Sequence, residues 1–345
     1  MRKVIIFFIL LTALIQPAFA MDYAAPSAPK VAQKYMPPET DSFSDGLWHV
    51  LKSALQELQP GFAEAAQTCL SVIAITMLIS VVKNFTQVSA NLTGLVAVIS
   101  MGALLFRSAN SLLRLGTQTV EQMCDYGKLL IPTMTAATAA TGTAATSAAL
   151  YTGTMLFSTM LSSLISGVVV PLIYVYMALG IGDNASGGKT LSGLKDFVKW
   201  LCTWIIKTVL YVFTGYMSIT GVISGTVDSA AIKAAKLTIS GAVPVVGSII
   251  SDASESILLS AGILRNSAGI YGIIATVAVC IGPFLRIGVH YLLLKITTAV
   301  CCVFGDSQSG GLMKDMTGAM GLVLAMTGAV CLLLLIGIVC FLRSI

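Results

Sequence analysis

The stretch MTGAMGLVLAMTGAVCLLLLIGIVCFL, residues 316–342, decides the fold class of this chain. It contains no charged residue, and Arg343 follows directly after it. A helix of this length is about 40 Å long, whereas the hydrocarbon core of a bilayer is about 30 Å thick. The stretch therefore predicts a membrane-spanning helix.

The composition of the whole chain supports the same class. Of 345 residues, 56% are apolar and 10% are charged, whereas a soluble domain has about 45–50% and about 25%. The Lys and Arg residues behind the net charge of +5 are scattered, without a block that would mark a nucleic-acid or lipid-headgroup patch. We expect a polytopic protein that contacts the lipid bilayer and binds no nucleic acid.

Two further apolar runs, residues 155–181 and 200–224, reach the length of about 20 residues that a spanning helix needs. Residues 69–82 and 92–106 are shorter and become spans only if flanking residues are included. Residues 270–304 would form one helix of about 52 Å, so we expect this run to break at a hinge in residues 282–288 and to give two spans. The sequence thus predicts an all-α, polytopic integral membrane helical bundle of about six to eight spanning or re-entrant helices, occupying residues 62–345.

Residues 1–20 have the pattern of a cleavable signal peptide. Arg2 and Lys3 precede an apolar run too short to span a membrane, and the small residues Ala18 and Ala20 form a cleavage site. We expect cleavage after Ala20 and an N-terminus outside the cytoplasm. An uncleaved first helix is the alternative.

Residues 21–42 are rich in Ala and Pro, which predicts an extended extracytoplasmic tether. Residues 43–61 follow and carry leucines at helical spacing. These are Leu47, Leu51, Leu55 and Leu58. We expect an amphipathic extracytoplasmic helix that lies on the outer membrane face or on a partner.

Residues 133–149, TMTAATAATGTAATSAA, consist almost wholly of Ala, Thr, Ser and Gly. Small residues let membrane helices pack closely, and Thr hydroxyls bond across such contacts or back to their own helix. Thr135, Thr138 and Thr141 recur every three residues. The segment is either a tightly packed interior span or a pore-lining or re-entrant segment.

Residues 243–269, VPVVGSIISDASESILLSAGILRNSAG, place charges in a chain that otherwise avoids them. A helical wheel gives this charged stretch one apolar and one polar face. The polar face carries Ser248, Ser251, Asp252, Glu255 and Asn266. Arg265 lies about 15 Å along the helix from Glu255, too far to pair with it. The stretch is either a surface helix whose polar face meets water, or a broken or re-entrant helix that lines a conduit or a subunit contact.

Motifs for catalysis fail in their details. GGKT at 187–190 resembles the end of a phosphate-binding loop, but Asp183 stands where the first glycine belongs. GDSQSGG at 305–311 approaches a nucleophile elbow, but Ser309 replaces the second glycine. The two histidines lie far apart in the sequence, and the cysteines lack ligand spacing. We therefore expect no enzyme activity, no metal and no cofactor.

The charged stretch belongs to a longer pattern. GAVPVVGSIISDASESILLSAGILRNSAGIYG, residues 241–272, is followed by IGPFLRIGVHYLLLKITTAVCCVFGD, residues 281–306. With its Pro-Val-Val-Gly, Ser-Asp-Ala and Asn-Ser-Ala-Gly pieces in this order, the chain resembles the stage III sporulation protein AE family of endospore-forming bacteria. The likeness extends more loosely over the rest of the chain, except the tether.

The resemblance implies a permease-like, non-enzymatic membrane subunit of a secretion-like channel complex. This complex lies in the mother-cell membrane that surrounds the forespore, the outer forespore membrane. The implied partners are the other stage III sporulation A proteins, including an ATPase and ring-forming members, and indirectly stage II sporulation protein Q. A homo-oligomer within the complex is expected, and the resemblance assigns no catalytic residue.

Two other functions remain open from the sequence. A stand-alone secondary transporter of a small solute is the alternative, because broken helices with charges near membrane depth are typical of such proteins. The lack of a convincing repeat between residues 62–190 and 200–345 argues against it. An intramembrane enzyme that uses Asp252 is the third hypothesis.

Overall fold

The computed structural model describes residues 29–36, 43–85, 90–140, 144–187, 190–219 and 267–343, which form helices and no strand. The helices are α1 (Lys30–Gln33), α2 (Phe43–Gln56), α3 (Leu58–Phe85), α4 (Ala90–Ala140), α5 (Ala144–Leu164), α6 (Val170–Ala185), α7 (Ser192–Ile219), α8 (Ser267–Phe304) and α9 (Ser307–Arg343). Within the described residues, 6 helical stretches are long and apolar enough to cross a membrane. The predicted all-α polytopic bundle is confirmed.

Helix α9 forms the centre of this bundle. It packs against α4, α5, α6, α7 and α8. In its most apolar stretch of 18 residues, 89% is buried inside the protein. A helix that is apolar on all sides must be surrounded either by lipid or by other helices. The stretch that decides the fold class is therefore the core of the bundle rather than a lipid-facing span.

The predicted break in residues 270–304 is wrong. Helix α8 runs without interruption from Ser267 to Phe304, with Pro283 inside it. A proline removes its own backbone hydrogen bond and crowds the carbonyl four residues earlier, but packing against α3, α4 and α9 holds the helix together on both sides of it. The expectation of two spans assumed that a helix ends where the bilayer ends, and α8 does not.

The apolar run in residues 92–106 and the small-residue segment after it both involve one long helix. Residues 92–106 form only the first part of α4, which continues past them for another 34 residues to Ala140. Of residues 133–149, residues 133–140 belong to the end of α4 and residues 144–149 to the start of α5, while residues 141–143 are not described. Helix α4 thus extends far beyond the length of about 20 residues that spans a bilayer.

A π-helical turn, Ile165–Val169, joins α5 to α6. Pro171 follows it closely and has no N–H to donate to the preceding turn. The wider turn absorbs this irregularity, since the Val170 N–H bonds to the carbonyl of Ile165, five residues back. The chain from Ala144 to Ala185 therefore continues as one rod with a local distortion.

The N-terminal segments pack against the bundle. Residues 29–36 are not extended as predicted for the tether, because α1 forms there and Tyr35 is buried. Helix α2 buries Gly46, Val50 and Ala54 against α8. The predicted leucine face is only partly covered, since Leu55 is exposed. Small residues are buried instead because they let the two helix backbones approach closely.

The exposed side of α4 changes from apolar to polar at one level. Its first turns expose Leu92, Leu95, Val96, Ile99 and Phe106. The following turns expose what we call the α4 polar stripe: Arg107, Ser111, Arg114, Gln118, Glu121, Asp125 and Lys128. Charged side chains on a lipid-facing surface are costly. We infer that helix α4 leaves the hydrocarbon layer near Arg107.

Neighbouring helices carry polar groups at this same level, which we call the membrane edge. Ser108 Oγ lies 3.2 Å from His290 Nε2 on α8. One turn along α8, Arg286 donates to Glu64 of α3 at 2.8 Å. From Arg286 to Phe304, α8 rises about 27 Å, close to the thickness of about 30 Å of a hydrocarbon layer. We infer that the other half of the bundle, with α1 and α2, lies outside this layer.

Thiol labelling tests this placement. In a cysteine-free background, Gln118→Cys is expected to react with a membrane-impermeant maleimide in vesicles of mixed orientation. Val96→Cys, which is exposed on the same helix, is expected to react only after detergent is added, because lipid covers it. Equal protection of both cysteines before detergent would place the α4 polar stripe inside the membrane or under another protein surface.

Candidate functional site

A buried cluster of charges joins three helices near one end of the bundle. Lys195, in the first turn of α7, lies between carboxylates from α6 and α9. Its Nζ is 3.2 Å from Asp183 Oδ2 and 2.8 Å from Asp315 Oδ2. We call these three residues the ion cluster.

All members of the ion cluster are shielded from solvent. The exposed fraction of the side chain is 12% for Lys195, 7% for Asp183 and 11% for Asp315. Buried charges are tolerated when they are paired and hydrogen-bonded. Asn184 donates to Asp315 Oδ2 at 2.8 Å, and the backbone N–H of Leu191 donates to Asp183 Oδ1 at 2.9 Å. Since two carboxylates share one ammonium, both depend on Lys195.

Two glycines make this arrangement possible. Gly187, in the connection from α6 to α7, has a φ of +66°, a left-handed conformation that glycine adopts without strain. The chain reverses there and returns Lys195 to the end of α6. Gly180 lets α6 approach α9, since a Cβ at this position would lie 3.0 Å from the Cβ of Asp315.

Polar groups continue from the ion cluster along α9. One turn beyond Asp315, a Cβ at Gly318 would lie 2.7 Å from Tyr176 Oη and 3.4 Å from Lys199 Nζ. Thr317 Oγ1 lies 2.8 Å from Thr298 Oγ1 of α8. Within the described ranges, no group of three His, Cys, Asp or Glu side chains is arranged to hold a metal ion. These polar contacts hold α6, α7 and α8 in fixed register around α9.

A second polar site is a cleft of about 250 Å³ at the membrane edge, between α1, α2, α3 and α8. Its walls carry two ion pairs, Lys34 with Glu57 and Arg286 with Glu64. The Tyr35 hydroxyl packs against α8 beside Pro283, because a Cβ at Gly282 would lie 2.6 Å from it. We call this site the edge cleft.

Hydrogen bonds within the edge cleft keep the Glu57 carboxylate charged. Hydrogen bonds from Lys34 and Tyr35 hold the pKa of Glu57 below its usual value, because both partners favour the ionised form. Glu57 follows α2 directly and precedes α3. The Lys34–Glu57 pair therefore fastens α1 to the junction between α2 and α3.

Most sequence-predicted site residues lie outside the described part of the chain. They are Ser248, Ser251, Asp252, Glu255, Arg265 and Asn266 of the charged stretch, and Ala18 and Ala20 of the signal peptide. Thr135 lies on α4, where its Oγ1 donates to the Ile131 carbonyl at 2.8 Å. Thr138 belongs to α4 without a described side chain, and Thr141 is not described. A conduit or packing role for these residues stays a prediction.

Sequence reasoning missed both polar sites. Asp183 served only as a mismatch in a phosphate-binding pattern, and Asp315 was not singled out. The available signal was the position of Asp315 directly before the apolar stretch 316–342, because ionisable residues at membrane depth mark functional or paired sites.

Comparisons with known proteins bear on most of the chain. A profile of the family described as Stage III sporulation protein AE matches residues 36–344. The Stage III sporulation protein AE of Bacillus subtilis (strain 168) is 21% identical over 184 residues, which cover 53% of this chain and 46% of that protein. The matched region thus spans about half the length of this curated relative. No solved structure matches the fold.

Proposed function

The chain belongs to the stage III sporulation protein AE family, and from this premise we propose that it is a permease-like subunit of a multiprotein channel. This channel links the mother cell to the forespore during endospore formation. The observation that carries the proposal is the family match over residues 36–344, which takes in every described helix from α2 to α9. A multi-pass helical bundle suits the membrane-embedded part of such a channel.

The proposed location is the mother-cell membrane around the forespore. The partners are the other stage III sporulation A proteins, including the ATPase and the ring-forming members, and through them stage II sporulation protein Q. The half of the bundle outside the hydrocarbon layer supports such contacts, because α1, α2 and the α4 polar stripe offer water-facing surface. Several copies of the chain are expected in the complex, and the proposal gives it no catalytic activity.

Copurification from sporulating cells tests this function. We expect the solubilised chain to migrate in a large assembly in which mass spectrometry finds the ring-forming partners. Deletion of the gene is expected to block late forespore gene expression after engulfment. Purification of the chain without these partners, together with unchanged late gene expression in the deletion strain, would contradict the proposal.

A stand-alone secondary transporter is the second candidate. The π-helical turn Ile165–Val169 and the buried ion cluster favour it, because interrupted helices and ionisable residues at depth recur in transporters. Purified protein in vesicles distinguishes the two functions. Solute uptake without any partner protein favours the transporter, whereas uptake that requires partner subunits favours the channel subunit.

A further inference from the structure

The edge cleft has charged walls and a backbone floor. Glu57 and Glu64 are seven residues apart, two helical turns, and Gly61 lies between them. Because Gly61 has no side chain, a gap lies between the side chains of the two carboxylates. Across this gap lies the aliphatic part of Arg286, since a Cβ at Gly61 would sit 3.3 Å from Arg286 Cγ.

The inferred membrane edge puts the edge cleft at the depth of lipid headgroups. Arg286 and Glu64 mark the membrane edge, where the exposed face of α4 changes from apolar to polar. Leu58 and Leu115 add apolar surface to the lining. A smaller pocket shares Gly61, Glu64 and Arg286 with the cleft and continues toward Ser108 and His290. The cleft therefore presents charges and apolar surface side by side at the boundary of the hydrocarbon layer.

Both ion pairs keep hydrogen-bonding capacity for a ligand. Arg286 uses one Nη2 contact of 2.8 Å for Glu64 Oε2, and a guanidinium has further N–H donors in a fixed plane. Lys34 bonds to one oxygen of Glu57 and also has further donors. The four side chains are between 45% and 59% exposed. A ligand with a phosphate and an ammonium group can bind without breaking either pair.

We propose that the edge cleft binds the phosphoethanolamine headgroup of a zwitterionic phospholipid. Arg286 holds the phosphate, for which arginine offers paired N–H donors, and Lys34 adds positive charge from the other ion pair. Glu64, beside Arg286, accepts a hydrogen bond from the ammonium group, and Glu57 adds negative charge two helical turns away. The volume of about 250 Å³ is below the range of about 300–1,000 Å³ for pockets that enclose drug-sized ligands. It suits a headgroup whose acyl chains remain in the bilayer.

The charge balance makes the site selective. The two cations and two carboxylates of the cleft sum to zero, so an anionic headgroup without a cation would leave the occupied site with one net negative charge. A choline headgroup carries its positive charge without any N–H donor and cannot hydrogen-bond to Glu57 or Glu64. Phosphatidylethanolamine is therefore preferred over both phosphatidylglycerol and phosphatidylcholine. This proposal does not depend on a role in sporulation.

Native mass spectrometry of the purified full-length protein tests the proposal. Phosphatidylethanolamine, phosphatidylcholine and phosphatidylglycerol with identical acyl chains are added in turn in detergent. We expect about tenfold preference for phosphatidylethanolamine, because phosphatidylcholine has no N–H donor for a carboxylate and phosphatidylglycerol has no ammonium group to pair with one. Soluble glycerophosphoethanolamine separates the headgroup from the lipid, and we expect it to bind more weakly than the intact lipid.

Three variants locate the binding. The charge-neutral double variant Glu64→Gln/Arg286→Gln and the variant Gly61→Leu, which fills the cleft and keeps every charge, are both expected to lose the preference. The matched control is Asp125→Asn/Lys128→Gln, which removes another exposed ion pair and is expected to keep it. Equal binding of the three lipids, or a preference that survives both cleft variants, would overturn the proposal. Binding of glycerophosphoethanolamine as tight as that of the lipid would overturn the lipid assignment.

Discussion

Replacing Lys195 with methionine is expected to lower the free energy of unfolding by about 3–5 kcal/mol. The substitution removes the ammonium that Asp183 and Asp315 share at 3.2 Å and 2.8 Å, while a side chain of similar length remains. Two carboxylates then stay buried beside each other without a counter-ion, which is far less stable than the paired state. Denaturant unfolding of the purified protein in detergent micelles, followed by circular dichroism, measures the change.

Two further variants separate charge pairing from general damage. Lys128→Met breaks the exposed pair with Asp125 on α4, where the side chains are 55% and 71% exposed, and is expected to change stability by less than about 1 kcal/mol. Adding Asp183→Asn and Asp315→Asn to Lys195→Met removes the unpaired charges and is expected to restore much of the loss. If Lys195→Met is no less stable than Lys128→Met, the ion cluster does not hold the bundle together.

The class of the fold was predictable because length and apolar content dominate in membranes. Residues 316–342 could only form a helix that is either buried or lipid-facing, and they form most of α9. Which of the two it is could not be predicted, because lipid tails and leucine side chains are similarly apolar. Its central position follows from the helices that pack around it, and that information is tertiary.

The helix lengths were harder to predict for a different reason. The expected break in residues 270–304 rested on the thickness of the bilayer, but α8 continues past the membrane edge and buries Ile273 and Ile274 in the protein. The apolar run in residues 92–106 was also considered without the helix that continues past Arg107. The exposed polar residues that follow it on α4 are spaced three or four apart, and this helical period was the missed signal.

The ion cluster could not be assembled from the sequence. Lys195 lies 12 positions from Asp183 and 120 positions from Asp315. The first distance is bridged by a turn around Gly187, and the second exists only because α6, α7 and α9 pack together. The sequence pointed to ionisable residues near apolar runs, but only the packing of the helices identified their partners.

Gly153→Ala is expected to destabilise the bundle by about 1–3 kcal/mol, the usual effect of overpacking a tight contact. A Cβ at this position on α5 would lie 2.2 Å from Cε1 of Tyr216 on α7. The ring cannot swing away freely, because the Tyr216 hydroxyl donates to the Ala149 carbonyl at 2.9 Å. It also packs against Phe157, with ring centroids 5.9 Å apart. The measurement is again denaturant unfolding in detergent micelles.

Gly215→Ala is the matched control, one residue before Tyr216 on α7. Nothing lies within 4 Å of a Cβ there, so the new methyl group meets open space. Alanine favours a helix over glycine by about 1 kcal/mol, and we expect this variant to be unchanged or more stable. Helix propensity acts in the same direction at both positions, so the difference between the variants reports the contact with Tyr216. An equal gain in the free energy of unfolding for both variants would contradict the close contact between Gly153 on α5 and Tyr216 on α7.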